Sequence, residues 1–243
     1  MKSWWSRAAP MRSWPMADAK PFFDLFGLVH ISILAAIALA VAALSRLAHS
    51  RRARWIMAAL LAANELYWYW FNIHKGWYSF PGNLPLNLCD LTVWLTVAAL
   101  LTLNRWSYEL AYFLGVGGSS MAVLTPDLWE PFPSYPTVYF FLAHGAVIAC
   151  VLALTLPNIL RPTPGCVWRS FTLVNIYAAA IALFNLALGT NYFYLCRKPA
   201  NPSLLDYFGP WPMYILVGEA FTLAFFYLLW LPISVRKRSQ TPP

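Results

Sequence analysis

Residues 137–157 read TVYFFLAHGAVIACVLALTLP, an apolar stretch that contains one histidine and no Asp, Glu, Lys or Arg. A helix of about 20 such residues, rising about 1.5 Å per residue, crosses the roughly 30 Å hydrocarbon core of a bilayer. Six other segments share this length and composition. They are 22–45, 54–73, 86–104, 108–125, 167–189 and 212–234. The sequence therefore predicts an all-α, multi-pass transmembrane helix bundle of seven spans.

The composition excludes a water-soluble fold. Of the 243 residues, 60% are hydrophobic and 11% are charged, whereas a soluble domain is about 45–50% apolar and about 25% charged. The 17 Lys and Arg against 9 Asp and Glu give a net charge of +8. In so apolar a chain, this basic excess is typical of loops that contact anionic headgroups, so we expect membrane lipids as partners and no nucleic acid.

The chain is predicted to form one membrane domain over residues 22–235, because no connection between the spans is long enough for a second domain. The N-terminal tail, residues 1–21, is basic and lacks the continuous apolar core of a cleavable signal peptide. We expect this tail to lie on the membrane surface or to be unstructured. Residues 236–243 form the predicted cytoplasmic tail.

The distribution of basic residues predicts the orientation of the bundle. Ten Lys and Arg residues lie in or next to the connections after spans one, three and five and in the C-terminal tail, against three after spans two, four and six. Because cytoplasmic loops carry the excess of Lys and Arg, this predicts an N-terminus outside and a C-terminus inside. Four basic residues of the N-terminal tail argue the other way: Lys2, Arg7, Arg12 and Lys20.

Polar side chains within the spans gather at one depth, in the outer half of the predicted bilayer. Ionisable residues inside a membrane are costly and are functional candidates by default. Three outer loops rich in Pro, Gly and aromatic residues adjoin them, at 79–87, 125–136 and 189–212. We therefore predict one polar cavity that opens to the extracytoplasmic side. Its candidate substrate-binding residues are His30, Glu65, Asn87, Asp127, Asn185, Asn191 and Glu219.

Cys89 is the candidate nucleophile. It lies in the first turn or two of the third span, where the positive end of the helix dipole would stabilise a thiolate. His144 would act as its general base, with Asp90 or Glu65 orienting the imidazole, which is the general arrangement of an activated nucleophile. The alternative is a small apolar cysteine that only packs in the core.

Other sequence patterns indicate packing rather than chemistry. The four cysteines show no CxxC pair and no zinc-like spacing, and we expect neither a metal nor a cofactor. Cys150 and Cys166 are predicted to pack inside the bundle. The GVGGSS stretch at 115–120 is predicted to be a close helix-packing surface, because a Gly-rich phosphate loop requires a preceding strand and none is evident.

Several motifs resemble those of the YwaF-type family of integral membrane proteins. They are NEL at 64–66, LPLNLCDL at 84–91, YELAYFLGVGGSSMAVLTPDL at 108–128, FFLAHG at 140–145, GTNYFYL at 189–195 and NPSLLDYFGPWPMYIL at 201–216. That family is related to the animal transmembrane protein 164 group, which is linked to acyl transfer on phospholipids, and more remotely to the androgen-induced-protein hydrolases of fatty-acid esters. The resemblance implies a phospholipid or acyl substrate, an acyl-accepting Cys89 with His144 as its base, and a place in the bacterial cytoplasmic membrane.

The sequence departs from the family's motif at one position next to this cysteine. The bacterial motif reads PLHLC, whereas residues 85–89 read PLNLC, so that Asn87 stands where the family has histidine. Because an amide cannot transfer a proton, the resemblance carries no proton-transfer role to Asn87. Its side chain would instead orient a carbonyl group or contact a headgroup.

Three functions fit these observations. The first is a cysteine-dependent acyltransferase or lipid-remodelling enzyme, in which Cys89 attacks an acyl ester. The second is a non-enzymatic protein that binds a lipid headgroup in the same cavity. The third is a small-molecule or proton-coupled transporter, because a Phe-x-x-x-His pattern recurs at Phe26–His30 and Phe140–His144 and internal repeats are common in transporters. The substrate and the oligomeric state do not follow from the sequence.

Overall fold

The computed structural model describes residues 23–128, 130–199 and 204–238, and among these residues it contains helices and loops but no β-strand. The helices are α1 (Leu28–Leu47), α2 (Arg51–His74), α3 (Leu88–Thr102), α4 (Arg105–Ala111), a π-helix (Tyr112–Ser119), α5 (Ser120–Leu124), α6 (Tyr135–Thr155), α7 (Cys166–Leu188) and α8 (Met213–Arg238). Short 3-10 turns lie at Tyr192–Tyr194 and Leu204–Phe208. The predicted N-terminal tail and residues 239–243 lie outside the described residues. The all-α prediction is confirmed for the described part.

The helices follow the predicted spans closely. Because α4, the π-helix and α5 are continuous along the chain, the described residues contain seven long helical segments, one overlapping each predicted span. Four stretches are long and apolar enough to cross a membrane: Leu28–Leu47, Tyr135–Thr155, Cys166–Leu188 and Met213–Ser234. Helix α3 is apolar but has only 15 residues. The number of seven spans and the orientation therefore stay predictions.

A two-residue turn makes α3 and α4 neighbours. Leu103 has φ 54° and ends α3 in the left-handed conformation. The side chain of Asn104 then accepts hydrogen bonds from two backbone N–H groups in the first turn of α4, at 2.9 and 3.2 Å. Capping of this kind satisfies donors that have no partner within a helix, so α4 begins at a defined residue.

Helix α6 is the centre of the bundle and packs against α1, α2, α3 and the π-helix. Gly115 lets the π-helix approach it closely, because a methyl group added at Gly115 would lie only 2.7 Å from Cγ1 of Val147. On the side of α1, a methyl group at Gly145 would lie 2.8 Å from Ile37. The predicted packing role of the GVGGSS stretch is confirmed at Gly115. Cys150 is buried in the same core, as predicted.

The turns at 48–50, 103–104 and 156–165 lie at the end of the bundle away from the predicted site residues, and we call it the opposite end. A buried ion pair closes it. Glu109 is 1% exposed, and its carboxylate accepts hydrogen bonds from the guanidinium of Arg169 at 2.7, 2.9 and 3.3 Å. The backbone N–H and the hydroxyl of Thr163 donate to the same carboxylate at 3.0 and 2.7 Å. These contacts tie α4 to α7 and to the loop that precedes it.

Candidate functional site

The other end of the bundle, which we call the site end, holds the loops at 75–87, 125–134 and 189–212. Hydrogen bonds join its elements across long sequence separations: Tyr139 of α6 donates to Glu65 of α2, and Tyr177 of α7 donates to the carbonyl of Leu86, just before α3. The predicted site residues all belong to these loops or to the helix halves next to them. They therefore share one end of the bundle, and the predicted place of this end in the outer half of the bilayer stays a prediction.

Glu65 is buried at this end, at 1% exposure. Tyr69, four residues later on the same face of α2, donates its hydroxyl to Oε1 at 2.5 Å. Tyr139 donates its hydroxyl to Oε2 at 2.6 Å, and its ring stacks on Trp68 with the ring centroids 4.3 Å apart. Both oxygens of the carboxylate therefore have a tyrosine hydroxyl as a donor.

Asp90 brings a second carboxyl next to Glu65. It occupies the third position of α3, where its Oδ2 accepts a hydrogen bond from the backbone N–H of Asn87 at 2.9 Å. Asp90 is 8% exposed, and its carboxyl interacts with that of Glu65. The structure thus places two buried carboxyls, from α2 and α3, side by side. We refer to Glu65, Tyr69, Asp90 and Tyr139 as the carboxyl cluster.

Cys89 lies at the edge of the carboxyl cluster. It is exposed, whereas its neighbour Asp90 is buried. As the second residue of α3, it lies in the first turn of that helix and directly precedes Asp90. The first N–H groups of a helix have no partner within the helix and can stabilise an anion. An exposed thiol, helix-terminal donors and two carboxyls therefore meet at the start of α3.

His144 is directed to another side of α6. Its Nδ1 forms a hydrogen bond of 2.8 Å with the carbonyl of Phe140, and its ring packs on that of Phe140 at 4.4 Å. Tyr139, which faces the carboxyl cluster, lies five residues earlier and therefore about 140° away around the helix. Within the described part of the chain, no hydrogen bond joins His144 to Cys89. The pairing of this thiol with this imidazole stays a prediction.

His30 is buried and uses both ring nitrogens. Nδ1 accepts a hydrogen bond from the backbone N–H of Phe26 at 3.0 Å, and Nε2 bonds to the carbonyl of Val123 at 2.7 Å. Because a carbonyl only accepts, Nε2 carries the proton and the ring is the neutral tautomer. His30 therefore ties the start of α1 to the end of α5, and a ligand would have to break one of these bonds to contact the ring.

Asn185 and Asn191 fold the turn that follows α7. Asn185 is 1% exposed, and its amide bonds to the backbone N–H and carbonyl of Tyr192, each at 2.9 Å. The side chain of Asn191 closes the next turn, accepting from the backbone N–H groups of Cys196 and Arg197 at 3.1 Å. Both amides are engaged with backbone groups of the 189–212 loop.

Three further candidates belong to the loops and helix halves of the site end. Glu219 of α8 accepts a hydrogen bond from the side chain of Asn175 of α7 at 2.8 Å. Asp127 is exposed in the loop after α5, and Asn87 is exposed at the N-terminus of α3. Of the predicted site residues, the ones that the structure groups around the two buried carboxyls are Glu65, Asn87, Cys89 and Asp90.

The tyrosines of this site were missed by sequence reasoning. Tyr69 carried a usable signal, because a residue four positions after Glu65 shares its helix face. Tyr139 carried none, since its approach to Glu65 depends on how α6 is rotated against α2. Among the described residues, no group of three His, Cys, Asp or Glu side chains is arranged to hold a metal ion.

A sequence model of the TMEM164 family matches residues 25–230. This range covers the carboxyl cluster, Cys89, the first six helical segments and the larger part of α8. No curated protein and no solved structure gives a significant match to the chain.

Proposed function

The chain belongs to the TMEM164 family, as its motifs indicated, and on this premise we propose that it is a cysteine-dependent enzyme that transfers acyl chains between membrane lipids. As a member of that family with several apolar helices, it is a membrane protein. The observation that carries the proposal is the exposed Cys89 at the start of α3, beside the carboxyl cluster. In its exposure Cys89 differs from Cys150 and Cys166, which are both buried.

The proposed reaction has two steps. The sulfur of Cys89 attacks the carbonyl carbon of a phospholipid ester, and the thiol proton passes to a base. The carbon–oxygen bond then breaks, and the lysolipid leaves as an alcohol after taking that proton from the base. In the second step, the hydroxyl of an acceptor lipid attacks the thioester, and its proton returns through the base to the sulfur. The balance requires no further reactant.

His144 is the proposed base. Its Nδ1 is committed to the carbonyl of Phe140, so the neutral ring offers Nε2 as the nitrogen that can accept a proton. The first N–H groups of α3 are the proposed donors to the oxyanion that forms on the ester carbonyl. Asp90 and Glu65 are proposed to hold the start of α3 and to contact the polar part of the lipid.

We also propose that all seven helical segments cross the bacterial cytoplasmic membrane, with the site end on the extracytoplasmic side. The excess of Lys and Arg in the connections of the opposite end and in the C-terminal tail supports this orientation. The lipid ester would then reach Cys89 from the outer leaflet.

The proposal is tested with purified protein in vesicles that contain phospholipid with an isotope-labelled acyl chain and a lysolipid acceptor. We expect the wild type to move the label to the acceptor and, after an early quench, to carry a hydroxylamine-sensitive acyl group on Cys89 by mass spectrometry. Cys89→Ala should lose both signals. Cys196→Ala is the matched control at the other cysteine of the site end and should keep both.

Equal transfer by the wild type and Cys89→Ala would overturn the proposal, as would the absence of transfer with every class of phospholipid. Non-enzymatic lipid binding is the second candidate function. It is favoured by the absence of a hydrogen bond between Cys89 and His144 in the described part of the chain. Native mass spectrometry that finds a retained lipid, without an acyl group on the thiol, would support it.

A further inference from the structure

No residue of the GTNYFYL stretch at 189–195 has a role in the proposed reaction, yet this stretch is hydrogen-bonded to the segment just before α3, the helix that carries Cys89. Tyr192 is 5% exposed and uses its hydroxyl twice. The oxygen accepts a hydrogen bond from the backbone N–H of Leu84 at 2.7 Å, and the hydroxyl donates to the carbonyl of Pro81 at 2.7 Å. The backbone just ahead of α3 is therefore held by one side chain that lies 108 positions away from Leu84.

Tyr192 is itself fixed by its surroundings. The buried amide of Asn185 bonds to both its backbone N–H and its carbonyl at 2.9 Å. The next two residues, Phe193 and Tyr194, have φ 60° and 55°, a left-handed conformation that is costly for residues other than glycine. Strained backbone persists where the surrounding contacts over-determine it. This turn therefore holds the hydroxyl of Tyr192 in one place.

A second tyrosine supports the same segment. Tyr177 of α7 donates its hydroxyl to the carbonyl of Leu86 at 3.0 Å. Residues 75–87 form turns without a helix or strand, so hydroxyl bonds of this kind substitute for regular backbone pairing. The segment ends at Asn87, whose backbone N–H donates a hydrogen bond to the carboxyl of Asp90.

We propose that Tyr192 is a positioning residue for Cys89: through its hydroxyl, the turn after α7 fixes residues 81–86 and with them the first turn of α3. The expected effect of Tyr192 on acyl transfer rests on the proposed function, whereas its effect on the position of residues 81–86 does not. Catalysis is sensitive to such support, because a displacement of about 1 Å at a reacting group can cost a hundredfold in rate.

Tyr192→Phe removes both bonds and keeps the ring. In hydrogen exchange, we expect deuterium uptake in the peptide that covers 81–90 to rise several-fold over the wild type. In the vesicle assay, we expect kcat for acyl transfer to fall about tenfold. The KM for the lipid should not change, because the hydroxyl contacts the backbone of the loop.

Tyr214→Phe is the matched control. It removes a tyrosine hydroxyl bond to the carbonyl of Tyr194, in the same turn, and this hydroxyl has no hydrogen bond to the described residues 81–86. Both measurements should stay within about twofold of the wild type, because this hydroxyl does not reach the segment. Tyr177→Phe frees only the carbonyl of Leu86 and should give a smaller effect in the same direction as Tyr192→Phe; it carries the test if Tyr192→Phe does not fold.

Unchanged deuterium uptake at 81–90 in Tyr192→Phe, or an equal rise in Tyr214→Phe, would overturn the inference. A selective rise in uptake with unchanged kcat would overturn the positioning role. If the wild type transfers no acyl chain while uptake rises selectively in Tyr192→Phe, the proposed function fails and the contact between Tyr192 and the segment stands.

Discussion

The two ends of the bundle bury acidic side chains in different ways. At the opposite end, Glu109 faces Arg169 with an N–O distance of 2.7 Å. At the site end, Glu65 and Asp90 lie together, and their donors are two tyrosine hydroxyls and one backbone N–H. Within the described ranges, no Lys or Arg forms a salt bridge with either of these two carboxyls.

This difference indicates that the Glu109–Arg169 pair is a structural contact, whereas Glu65 and Asp90 could still interact with a polar ligand group. A buried carboxylate that is paired with a guanidinium has its countercharge within the protein. Among the described residues, the carboxyl cluster has hydrogen-bond donors but no Lys or Arg in a salt bridge with it, and buried acids of this kind are costly to keep in a membrane protein. The carboxyl cluster is therefore the better place to expect a contact with a polar substrate group, and the predictions below test the contrast between the two ends.

The largest effect on stability is expected at the opposite end. Arg169→Met leaves Glu109 buried without its cation, which should lower the free energy of unfolding by about 3 kcal/mol, at the lower end of the usual range because Arg169 is partly exposed. Unfolding in detergent, followed by tryptophan fluorescence, measures the change. Arg161→Met is the control, since the one hydrogen bond of its guanidinium to the part of the chain that the structure describes is to Asn158, on an exposed turn. Equal losses in the two variants would contradict a structural role for the buried pair.

Glu65→Gln at the site end should cost less. The amide keeps one acceptor oxygen, and no opposite charge is left unpaired, so we expect a loss of about 1–2 kcal/mol in the same unfolding measurement. Acyl transfer should fall more in Glu65→Gln than in Arg169→Met, because only the first variant alters the carboxyl cluster. A loss of stability in Glu65→Gln as large as that in Arg169→Met would remove the distinction between the two ends.

Removing a single hydroxyl of the carboxyl cluster should lower the free energy of unfolding by less than Glu65→Gln does. Tyr139→Phe removes the donor to Oε2 of Glu65 but keeps the ring that stacks on Trp68, so we expect a loss of about 1 kcal/mol. A double-mutant cycle with Glu65→Gln should return most of this energy as coupling. Tyr135→Phe is the control on the same helix, because its buried hydroxyl has no hydrogen-bond partner among the described residues. Its removal should be neutral or stabilising, and an equal loss in both variants would contradict the assigned contact.

The helices were predictable because a chain can cross a bilayer only as a long apolar run with its backbone paired internally. The segment 167–189, for example, became Cys166–Leu188. The π-helix at Tyr112–Ser119 did not follow from the sequence. It lies where Gly115 meets Val147, a contact between residues that are distant in the chain, and no local pattern reports such an approach.

The end of the bundle that holds the candidate residues could be predicted from the sequence, but the direction of their side chains around each helix could not. Counting residues along each span placed Glu65, Asp90 and His144 at the same end, because the rise per residue is constant. The rotation of α6 does not follow from an apolar pattern that runs all round the helix, as it does in 137–157. For this reason the sequence could not distinguish Tyr139, which bonds to Glu65, from His144, whose ring bonds to the carbonyl of Phe140 on its own helix.

The cysteines of the two ends supply the smallest and most local test. Cys196 lies partly buried in the 189–212 loop, whereas Cys166 is fully buried at the start of α7. Burial raises the pKa of the Cys196 thiol above its ordinary value, and the charge of Arg197 lowers it in part. Because the thiolate is the reactive form, alkylation of Cys196 should still accelerate above pH 8.5, the ordinary pKa of a thiol, by roughly a fewfold.

A membrane-impermeant maleimide, applied in a Cys89→Ser background between about pH 7 and pH 10, measures this rate by mass spectrometry of the modified peptide. Cys166 should stay unmodified until the protein unfolds, since its side chain has no access to the reagent. A rate at Cys196 that levels off below the ordinary pKa of a thiol, about 8.5, would contradict the raised pKa. In intact cells the same reagent also reports the orientation: modification of Cys196 requires the site end to be outside, and protection until lysis would place it inside, so that the lipid ester would have to reach Cys89 from the inner leaflet.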